Sequence, residues 1–480
     1  MTTTSRIPMR TNRLRNPAAA AIVTTIIVSG LLLSLQPELR LAVPMLIGAT
    51  AAMAIALAFG LYCGDRWSFA WSPAIILVVA LLLRGLFLFS PPQLSDDIYR
   101  YLWDGSSLLR GANPYAAAPS TVKPAQNMTI IHSRINHPDY VTIYPPAAQI
   151  LFAGGAAFGG TITGLKTFLV LIDIGFCGLL IMLLKQLGLP VWRATLYAWN
   201  PLPVLEIAGS GHVDGAGMTL LMGAFCLLVI ERKNVPGAVP RRWPFLLSGL
   251  LVTCAGLVKL FPFVLVPLLF LLVPARRRKD FAVGCITALV LLVVPFLPHL
   301  ANMITSLETY ARDWEFAGFA FSTLRTFSGS GTTARLILSS VFLLAVTGIT
   351  FHTAVGINRA ESPITKARQA LKACYAIAMA LLLLTPTLQP WYALSLAAFL
   401  PFCAGPAGLV LCWAVFLTYQ VQIPYFILGQ WIENPFVTTA VFLAPVSAYL
   451  MSRFFKEGRQ WGRYTDISLR VGRAPSHRDL

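Results

Sequence analysis

Apolar runs of about 16 to 22 residues recur along nearly the whole 480-residue chain and constrain its fold more than any other feature. A helix needs about 20 apolar residues to cross the hydrocarbon core of a bilayer, whereas a membrane-barrel strand needs about 10. In lipid the backbone polar groups must bond to one another, which a helix achieves within one segment. The runs therefore predict an all-α fold, a polytopic transmembrane helical bundle of about 11–14 spans with helices in its outer loops.

The composition excludes several classes of protein. Hydrophobic residues make up 56% of the chain and charged residues only 12%, about half the usage of a soluble domain. Such a chain has too little polar surface for a soluble enzyme and too many apolar residues for a disordered one. The eight cysteines lie in or beside the apolar runs without a Cys-x-x-Cys spacing, so we expect small core hydrophobes, not disulfides or metal ligands.

The basic residues predict the orientation of the bundle. With a cytoplasmic N-terminus, 26 of the 37 Lys and Arg fall inside, ten fall outside and Arg84 lies within a span. This is the positive-inside bias, so the net charge of +18 indicates contact with anionic membrane lipids, not nucleic acid. We expect a multi-pass protein of the inner or plasma membrane with both termini cytoplasmic. The basic, then apolar N-terminal segment predicts a retained signal anchor.

The same topology divides the chain. It predicts one transmembrane domain at 1–453 and a basic cytosolic tail at 454–480. Within the domain, we name residues 91–144 the first outer loop and residues 299–334 the second outer loop. The apolar segment 145–160 is short and Gly-rich, and a full crossing there would turn the later basic loops outward. We therefore expect it to be re-entrant or peripheral.

Adjacent acids mark the first outer loop. Ser95 and the acids Asp96 and Asp97 form a helix-start pattern, with Ser95 or Asp96 as the N-cap. In a continuing helix, Asp97, Tyr101 and Asp104 share one face. One interpretation is structural, with Asp96 as a cap and the other acids solvated or paired. The other is functional, with a general base facing a substrate embedded in the lipid.

Further polar residues are predicted on the same side of the membrane. Glu206 is an intramembrane acid in a proline-broken segment, a class of residue that is often functional. Lys259 lies between two apolar runs, where it either snorkels to the interface or offers charge to a phosphate. Each of these residues also has a structural interpretation as a buried pair, a loop residue or a turn. The remaining polar candidates on this side are Arg100, Tyr144, His212, Asp214, Gln389 and Trp391.

No nucleotide-binding glycine motif occurs in the sequence. A mechanism driven by a cytosolic nucleotide therefore has no support. Paired acids can also hold a divalent cation. Because lysine and arginine can supply the same positive charge, we expect no metal and no cofactor.

Six segments together resemble one known group of enzymes. Their order along the chain makes the resemblance more specific than any one of them. They are SDDIYRYLWDG (95–105), GANPY (111–115), TIYPPAAQ (142–149), WNPLPVLEIAGSGHVD (199–214), GLVKLFPF (256–263) and TPTLQPWY (385–392). Over about residues 70–450 the chain resembles the GT-C superfamily of integral-membrane glycosyltransferases, in particular mannosyltransferases that use a polyprenyl-phosphate-mannose donor. It departs from them where His212-Val213-Asp214 replaces a frequent His-Asn-Asp.

The resemblance implies an activity. Such enzymes transfer a hexose from a polyprenyl-phosphate sugar at the outer leaflet to a hydroxyl of a glycan or glycolipid acceptor. Transfer inverts the anomeric centre, with an Asp of the first large outer loop as base, which here corresponds to Asp97 or Asp96. Lys259, Arg100 and His212 are the candidates to bind the donor phosphate. The candidates to contact substrate are Tyr101, Asp104, Tyr144, Glu206, Asp214, Gln389 and Trp391.

A transporter or lipid flippase is the alternative from another class. It predicts charged residues along a path through the membrane, and often inverted repeats. The sequence shows no clear internal repeat, and its polar candidates cluster on one side of the membrane.

Overall fold

The computed structural model describes residues 17–67, 71–231 and 241–471, with side chains described except at 64–67, 231 and 455–471. Within these residues the protein is helical, and the only β pairing is a pair of isolated bridges from Phe316 and Ala317 to Thr387. The predicted all-α membrane bundle is confirmed. The basic segment 1–16 and the last part of the predicted tail, 472–480, lie outside the described residues.

Within the part of the chain that the structure describes, eight helices are long and apolar enough to cross a bilayer. A ninth candidate is the pair Pro201–Gly209 and Asp214–Ile230, bent by 119°, and three further apolar helices have 10–17 residues. By length and composition the described residues thus contain eight spans, or nine with the bent pair, fewer than the predicted 11–14. The eight are Pro17–Ser34, Val43–Cys63, Ile162–Gln186, Ala275–Asp313, Gly331–Arg359, Pro363–Leu384, Pro406–Leu428 and Pro435–Phe454. The three shorter ones are Pro73–Leu88, Trp243–Val258 and Phe261–Leu271.

The segments outside these candidates contain shorter helices. The first outer loop contains Asp97–Leu109, which we call the loop helix, and Thr129–Ser133. The second outer loop begins within the long Ala275–Asp313 helix and adds Phe319–Ser328. Helix Pro146–Ala157 has 12 residues, about 18 Å at 1.5 Å per residue, too short to cross a bilayer. Its length agrees with the predicted re-entrant or peripheral segment.

Two glycines let the loop helix approach the bundle closely. A Cβ at Gly105 would collide with the backbone carbonyl of Phe152, in helix Pro146–Ala157. Gly211 has a φ of +80°, and a Cβ there would collide with Ile98. The loop helix is therefore packed between the short helix and the turn at 210–213, which places its first residue beside that turn.

A buried ion pair connects three segments inside the bundle. Arg84 Nε donates to Asp173 Oδ2 at 2.8 Å, and Tyr197 donates to Asp173 Oδ1 at 2.6 Å. A second guanidinium nitrogen of Arg84 donates to the carbonyl of Ala198. The pair thus fixes helices Pro73–Leu88 and Ile162–Gln186 against the segment just before the break at Pro201.

Candidate active site

The loop helix presents Asp97 at its first turn. The helix begins at Asp97, with Asp96 in the N-cap position, as the acids predicted. The Asp96 side chain forms no capping bond, and the hydroxyl of Ser95 instead accepts from the Asp97 amide at 3.3 Å. The Asp97 carboxylate is therefore held at a helix terminus and is available to groups from other segments.

Three side chains donate hydrogen bonds to Asp97. Asn136 donates to Oδ1 at 2.9 Å, while the hydroxyls of Tyr144 and Tyr101 lie 3.2 and 3.4 Å from Oδ2. The two hydroxyls are themselves 2.8 Å apart. The Asp97 side chain remains 19% exposed and lines a cavity of about 640 Å³. Asp97 is thus a fixed carboxylate that a ligand can reach.

Asp96 lines the same cavity in a different setting. Burial raises the pKa of its carboxyl, and the charges of Arg40 and Arg134 oppose that rise. Arg40 Nε is bonded to Glu38 at 2.8 Å. Asp96 therefore lies near the charges of Arg40 and Arg134. Among the described residues it lacks a set of hydrogen-bond donors like the one that holds Asp97.

Behind Asp97 lies a row of buried groups. His212 Nδ1 is 3.9 Å from Asp97 Oδ2, and His212 Nε2 is 3.5 Å from Glu206 Oε2. Glu206 is fully buried and accepts from Tyr419 at 2.8 Å through its other oxygen. Both His212 nitrogens and Glu206 Oε2 lack a hydrogen-bond partner among the described residues. His212 also stacks on Trp391, with ring centroids 3.9 Å apart.

This placement changes two roles expected from sequence. Neither His212 nor Glu206 lines the cavity, whereas Trp391 does. Direct contact of His212 with a donor phosphate, or of Glu206 with substrate, does not fit this geometry. The two residues lie behind Asp97 and Trp391, so any effect on a ligand passes through those side chains.

Lys259 lies where two cavities meet. Its ammonium is 3.3 Å from Asp214 Oδ1 and lies over the rings of Tyr144 and Tyr392, at 5.2 and 5.1 Å. It lines both the large cavity and a neighbouring cavity of about 210 Å³. The smaller cavity is lined largely by apolar side chains, among them Met218, Leu260, Phe261, Pro262, Leu307, Leu381 and Leu382. Asp214 lines only the smaller one.

Arg100 and Asp104 pair with each other. Arg100 Nε donates to Asp104 at 2.9 Å, and Arg100 Nη1 donates to the Tyr140 carbonyl at 3.0 Å. Asp104 is buried and does not line the cavity, so its predicted contact with substrate has no support in this geometry. Arg100 lines the cavity, and its Nη2 has no partner among the described residues. That nitrogen is itself buried, so Arg100 contributes positive charge beside the cavity.

Some of the other candidates line the large cavity, and others contact the residues that line it. Tyr144 and Gln389 line the large cavity. Tyr101 is fully buried, and only its hydroxyl contacts Asp97. Sequence reasoning missed Asn136 and Tyr392. The sequence shows no signal for Asn136 beyond its place in a polar loop, because its contact with Asp97 spans 39 residues.

No metal cluster is formed within the described ranges. No group of three or more His, Cys, Asp or Glu side chains there is placed to hold an ion. Positive charge in the large cavity comes from side chains, including Lys259, Arg100 and Arg40.

Comparison with known proteins identifies the family. Residues 18–275 match the family model of the alpha-(1→6)-mannopyranosyltransferase N-terminal domain, the MptA_B family. The comparison with curated proteins finds no significant match. The family match includes Asp96, Asp97, His212, Asp214 and Lys259. Because it covers more than half of the chain, the protein belongs to this family of membrane mannosyltransferases.

Proposed function

We propose that the protein transfers mannose from a polyprenyl-phosphate donor to a hydroxyl of a glycan or lipid-linked acceptor. The reaction inverts the anomeric centre and uses Asp97 as the general base. The observation that carries this proposal is the position of Asp97, a fixed and accessible carboxylate in the same cavity as Lys259. The mannosyltransferase family favours transfer of a sugar over the transport alternative.

The two cavities fit the two parts of a lipid-phosphate donor. The apolar 210 Å³ cavity suits a section of prenyl chain, and the polar 640 Å³ cavity suits the sugar. The phosphate would then lie at their boundary, beside Lys259. This arrangement keeps the hydrocarbon out of water and brings the charged group to a cation.

The base acts on the acceptor hydroxyl. Asp97 Oδ2 accepts the proton as the acceptor oxygen attacks C1 of the sugar. The bond between C1 and the phosphate oxygen breaks, and its electron pair leaves with the polyprenyl phosphate. A β-linked donor gives an α-glycoside, which agrees with the alpha linkage in the family description. For this chain we extend the description to the acceptor position and assign the 6-hydroxyl.

The leaving phosphate gains a negative charge during the reaction. A cation already held at that position stabilises the transition state without reorganisation. Lys259 is restrained by Asp214 and by two aromatic rings. Arg100 adds a second positive charge at the lining of the large cavity. These groups supply the charge that a metal ion would otherwise provide, so we propose a reaction that needs no metal or other cofactor.

The orientation in the membrane belongs to the same proposal. The positive-inside bias places both termini in the cytoplasm of a cell with an inner or plasma membrane. The cavity, formed by the two outer loops and residues 389–431, then faces the extracytoplasmic side, where a lipid-linked sugar is accessible from the outer leaflet.

The test is transfer of radiolabelled mannose from polyprenyl-phosphate-mannose by the purified full chain in detergent. Wild type is compared with Asp97→Asn and Asp96→Asn, with and without EDTA, across a panel of mannoside acceptors. We expect transfer that is lost in Asp97→Asn, retained in Asp96→Asn and unchanged by EDTA. Wild-type activity with a nucleotide sugar alone would refute the donor assignment. Loss of transfer with EDTA and its recovery with Mg²⁺ would refute the metal-free mechanism.

A further inference from the structure

The lining of the large cavity includes aromatic side chains that the proposed reaction does not use. Trp314, Tyr425 and Trp431 line the large cavity but not the apolar one. Tyr425 is 46% exposed and Trp431 is 45% exposed. We call these three residues the aromatic wall. Large exposed rings at a concave site are unusual unless something packs on them.

The aromatic wall is held in place by neighbouring segments. Trp431 packs against Phe316 and Tyr425, with ring centroids 5.1 and 5.6 Å apart. Trp314 packs edge-on against His137 of the first outer loop at 4.9 Å. The wall is thus preformed, which lowers the entropic cost of binding a ligand there.

Glu433 fixes the segment that carries Trp431. Its Oε2 accepts a hydrogen bond from the Ala317 amide at 2.9 Å. This bond joins residues 429–434 to the second outer loop, next to the bridges from Phe316 and Ala317 to Thr387. Trp431 is therefore anchored on both sides.

The side chains around the wall match the chemistry of a sugar. Asp313, Glu315, Arg40 and Gln93 line the same cavity. One face of a pyranose presents C–H groups that stack on an aromatic ring, and its hydroxyls both donate to carboxylates and accept from guanidinium and amide groups. A hydrocarbon chain would instead remove water from these polar groups without offering them a hydrogen bond, at a cost in free energy.

The size and position of the large cavity are compatible with the binding of more than one sugar. Its volume of about 640 Å³ lies mid-range for sites of drug-sized ligands, roughly 300–1,000 Å³, and exceeds what one hexose needs. Aromatic residues also occur at membrane interfaces, where they face lipid headgroups. The aromatic wall differs because it lines a cavity that also contains Asp97.

We propose that the aromatic wall binds the second sugar of an oligosaccharide acceptor, while the terminal sugar places its hydroxyl at Asp97. This rests on the proposed function and adds the acceptor subsite to it. Trp431 supplies the stacking surface, and Asp313, Glu315 and Arg40 bind hydroxyls. The enzyme then favours acceptors of two or more sugars over a single mannoside.

The test is acceptor-length dependence in the full-length protein. We would measure kcat/KM with polyprenyl-phosphate-mannose for alkyl α-mannosides carrying one to four α-(1→6)-linked mannose units. Wild type is expected to gain about tenfold between one and two units, as one good stacking contact provides. Trp431→Ala is expected to lose most of that gain, and Trp431→Phe to keep most of it.

A matched control separates this role from contact with the membrane. Phe436 is 84% exposed, lies five residues away and does not line the cavity. Phe436→Ala should therefore show the wild-type length dependence. If Trp431→Ala also keeps the wild-type dependence, the aromatic wall is not an acceptor subsite.

Binding without the donor distinguishes failure of the subsite from failure of the proposed reaction. Isothermal titration calorimetry with the methyl glycoside of α-(1→6)-linked mannotriose reports occupancy directly, because its signal does not depend on Trp431. Binding weakened about tenfold by Trp431→Ala, with no transfer by wild type, would keep the subsite and overturn the donor assignment. Absence of any binding difference between wild type and Trp431→Ala would overturn the subsite even where transfer occurs.

Discussion

Two clusters of charged residues in this bundle differ in how their carboxylates are satisfied and in whether they meet a cavity. In the buried pair, the guanidinium of Arg84 meets Asp173 and a backbone carbonyl, Tyr197 bonds the other carboxylate oxygen, and Arg84 Nη2 has no partner among the described residues. In the cavity cluster, His212 and one oxygen of Glu206 lack partners among the described residues, and Asp97 faces open volume. Charge inside a membrane protein thus does not by itself mark a site. Incomplete pairing beside a cavity does.

Among the substitutions that this comparison suggests, we expect the largest effect on catalysis at Asp97. Asp97→Asn preserves the size of the side chain and an oxygen that can accept from Asn136, but it removes the base. We expect kcat to fall by about 10³-fold, within the range for general-base catalysis. The measurement is mannose transfer at saturating donor and acceptor.

Asp96→Asn is the matched control, because it changes the adjacent acid at the same cavity. A loss in Asp96→Asn equal to that in Asp97→Asn would mean that the two acids act as one unit. That result would contradict the assignment of the base to Asp97 alone.

The buried pair should affect folding instead. Arg84→Met leaves Asp173 as a buried charge without its partner, which costs about 3–5 kcal/mol. Thermal unfolding in detergent, followed by circular dichroism or by the yield of monodisperse protein, measures this loss. Asp173→Leu should destabilise to a similar extent.

The double variant Arg84→Met/Asp173→Leu sharpens the comparison. It removes both charges, so we expect it to recover much of the stability, as replacement of a complete buried ion pair often does. Recovery of both stability and transfer would confirm a structural role. A stable double variant without transfer would place the pair in the catalytic machinery and break the distinction drawn between the two clusters.

A smaller catalytic effect is predicted at Lys259. Lys259→Ala removes the cation at the boundary between the cavities and leaves Asp214 without its partner. We expect kcat/KM for the lipid donor to fall by about 10²-fold, the scale of one preorganised electrostatic group. Lys259→Arg should retain part of the activity.

Lys123→Ala serves as the control for charge. Lys123 is exposed in the first outer loop and lines neither cavity. Wild-type kinetics are expected for it. If Lys259→Ala changes the acceptor KM and leaves donor kinetics intact, then the phosphate lies elsewhere.

Sequence could predict the fold and the location of the site more fully than the contacts within it. The length of the apolar runs identifies the spans, and the double acid at 96–97 marks the start of the loop helix. The contacts that define Asp97 and Glu206 come from distant segments, such as Tyr419, 213 residues from Glu206. The hydrophobic pattern of the sequence identifies the segments that enter lipid. It does not identify which polar groups of different segments contact one another.

Asp104 and His212 show this limit. The i, i+4 and i, i+7 spacing correctly brings Tyr101 to Asp97. It also predicts that Asp104 shares their face. Asp104, however, forms an ion pair with Arg100, four residues before it. His212 occurs in a segment typical of an outer turn, yet stacking on Trp391 buries it. Whether the imidazole can contact a ligand thus depends on Trp391, which lies about 180 positions away in the sequence.

The smallest effect concerns Glu206, which we infer to be a positioning residue. His212 lies between Glu206 and Asp97, 3.5 Å from the first carboxylate and 3.9 Å from the second, so the Glu206 charge favours a proton on the ring nitrogen that faces it and thereby the tautomer presented to Asp97. Glu206→Gln keeps the volume and the bond to Tyr419 but changes the acid. We expect kcat to fall about tenfold, the scale of one polar contact with a charged group, with KM unchanged. The pH–rate profile should also shift, because the charges of Asp97 and Lys259 act on the imidazole. Tyr419→Phe is the control, since it removes a bond to Glu206 without touching His212. An unchanged pH profile in Glu206→Gln, together with lower thermal stability, would show that Glu206 only packs the bundle.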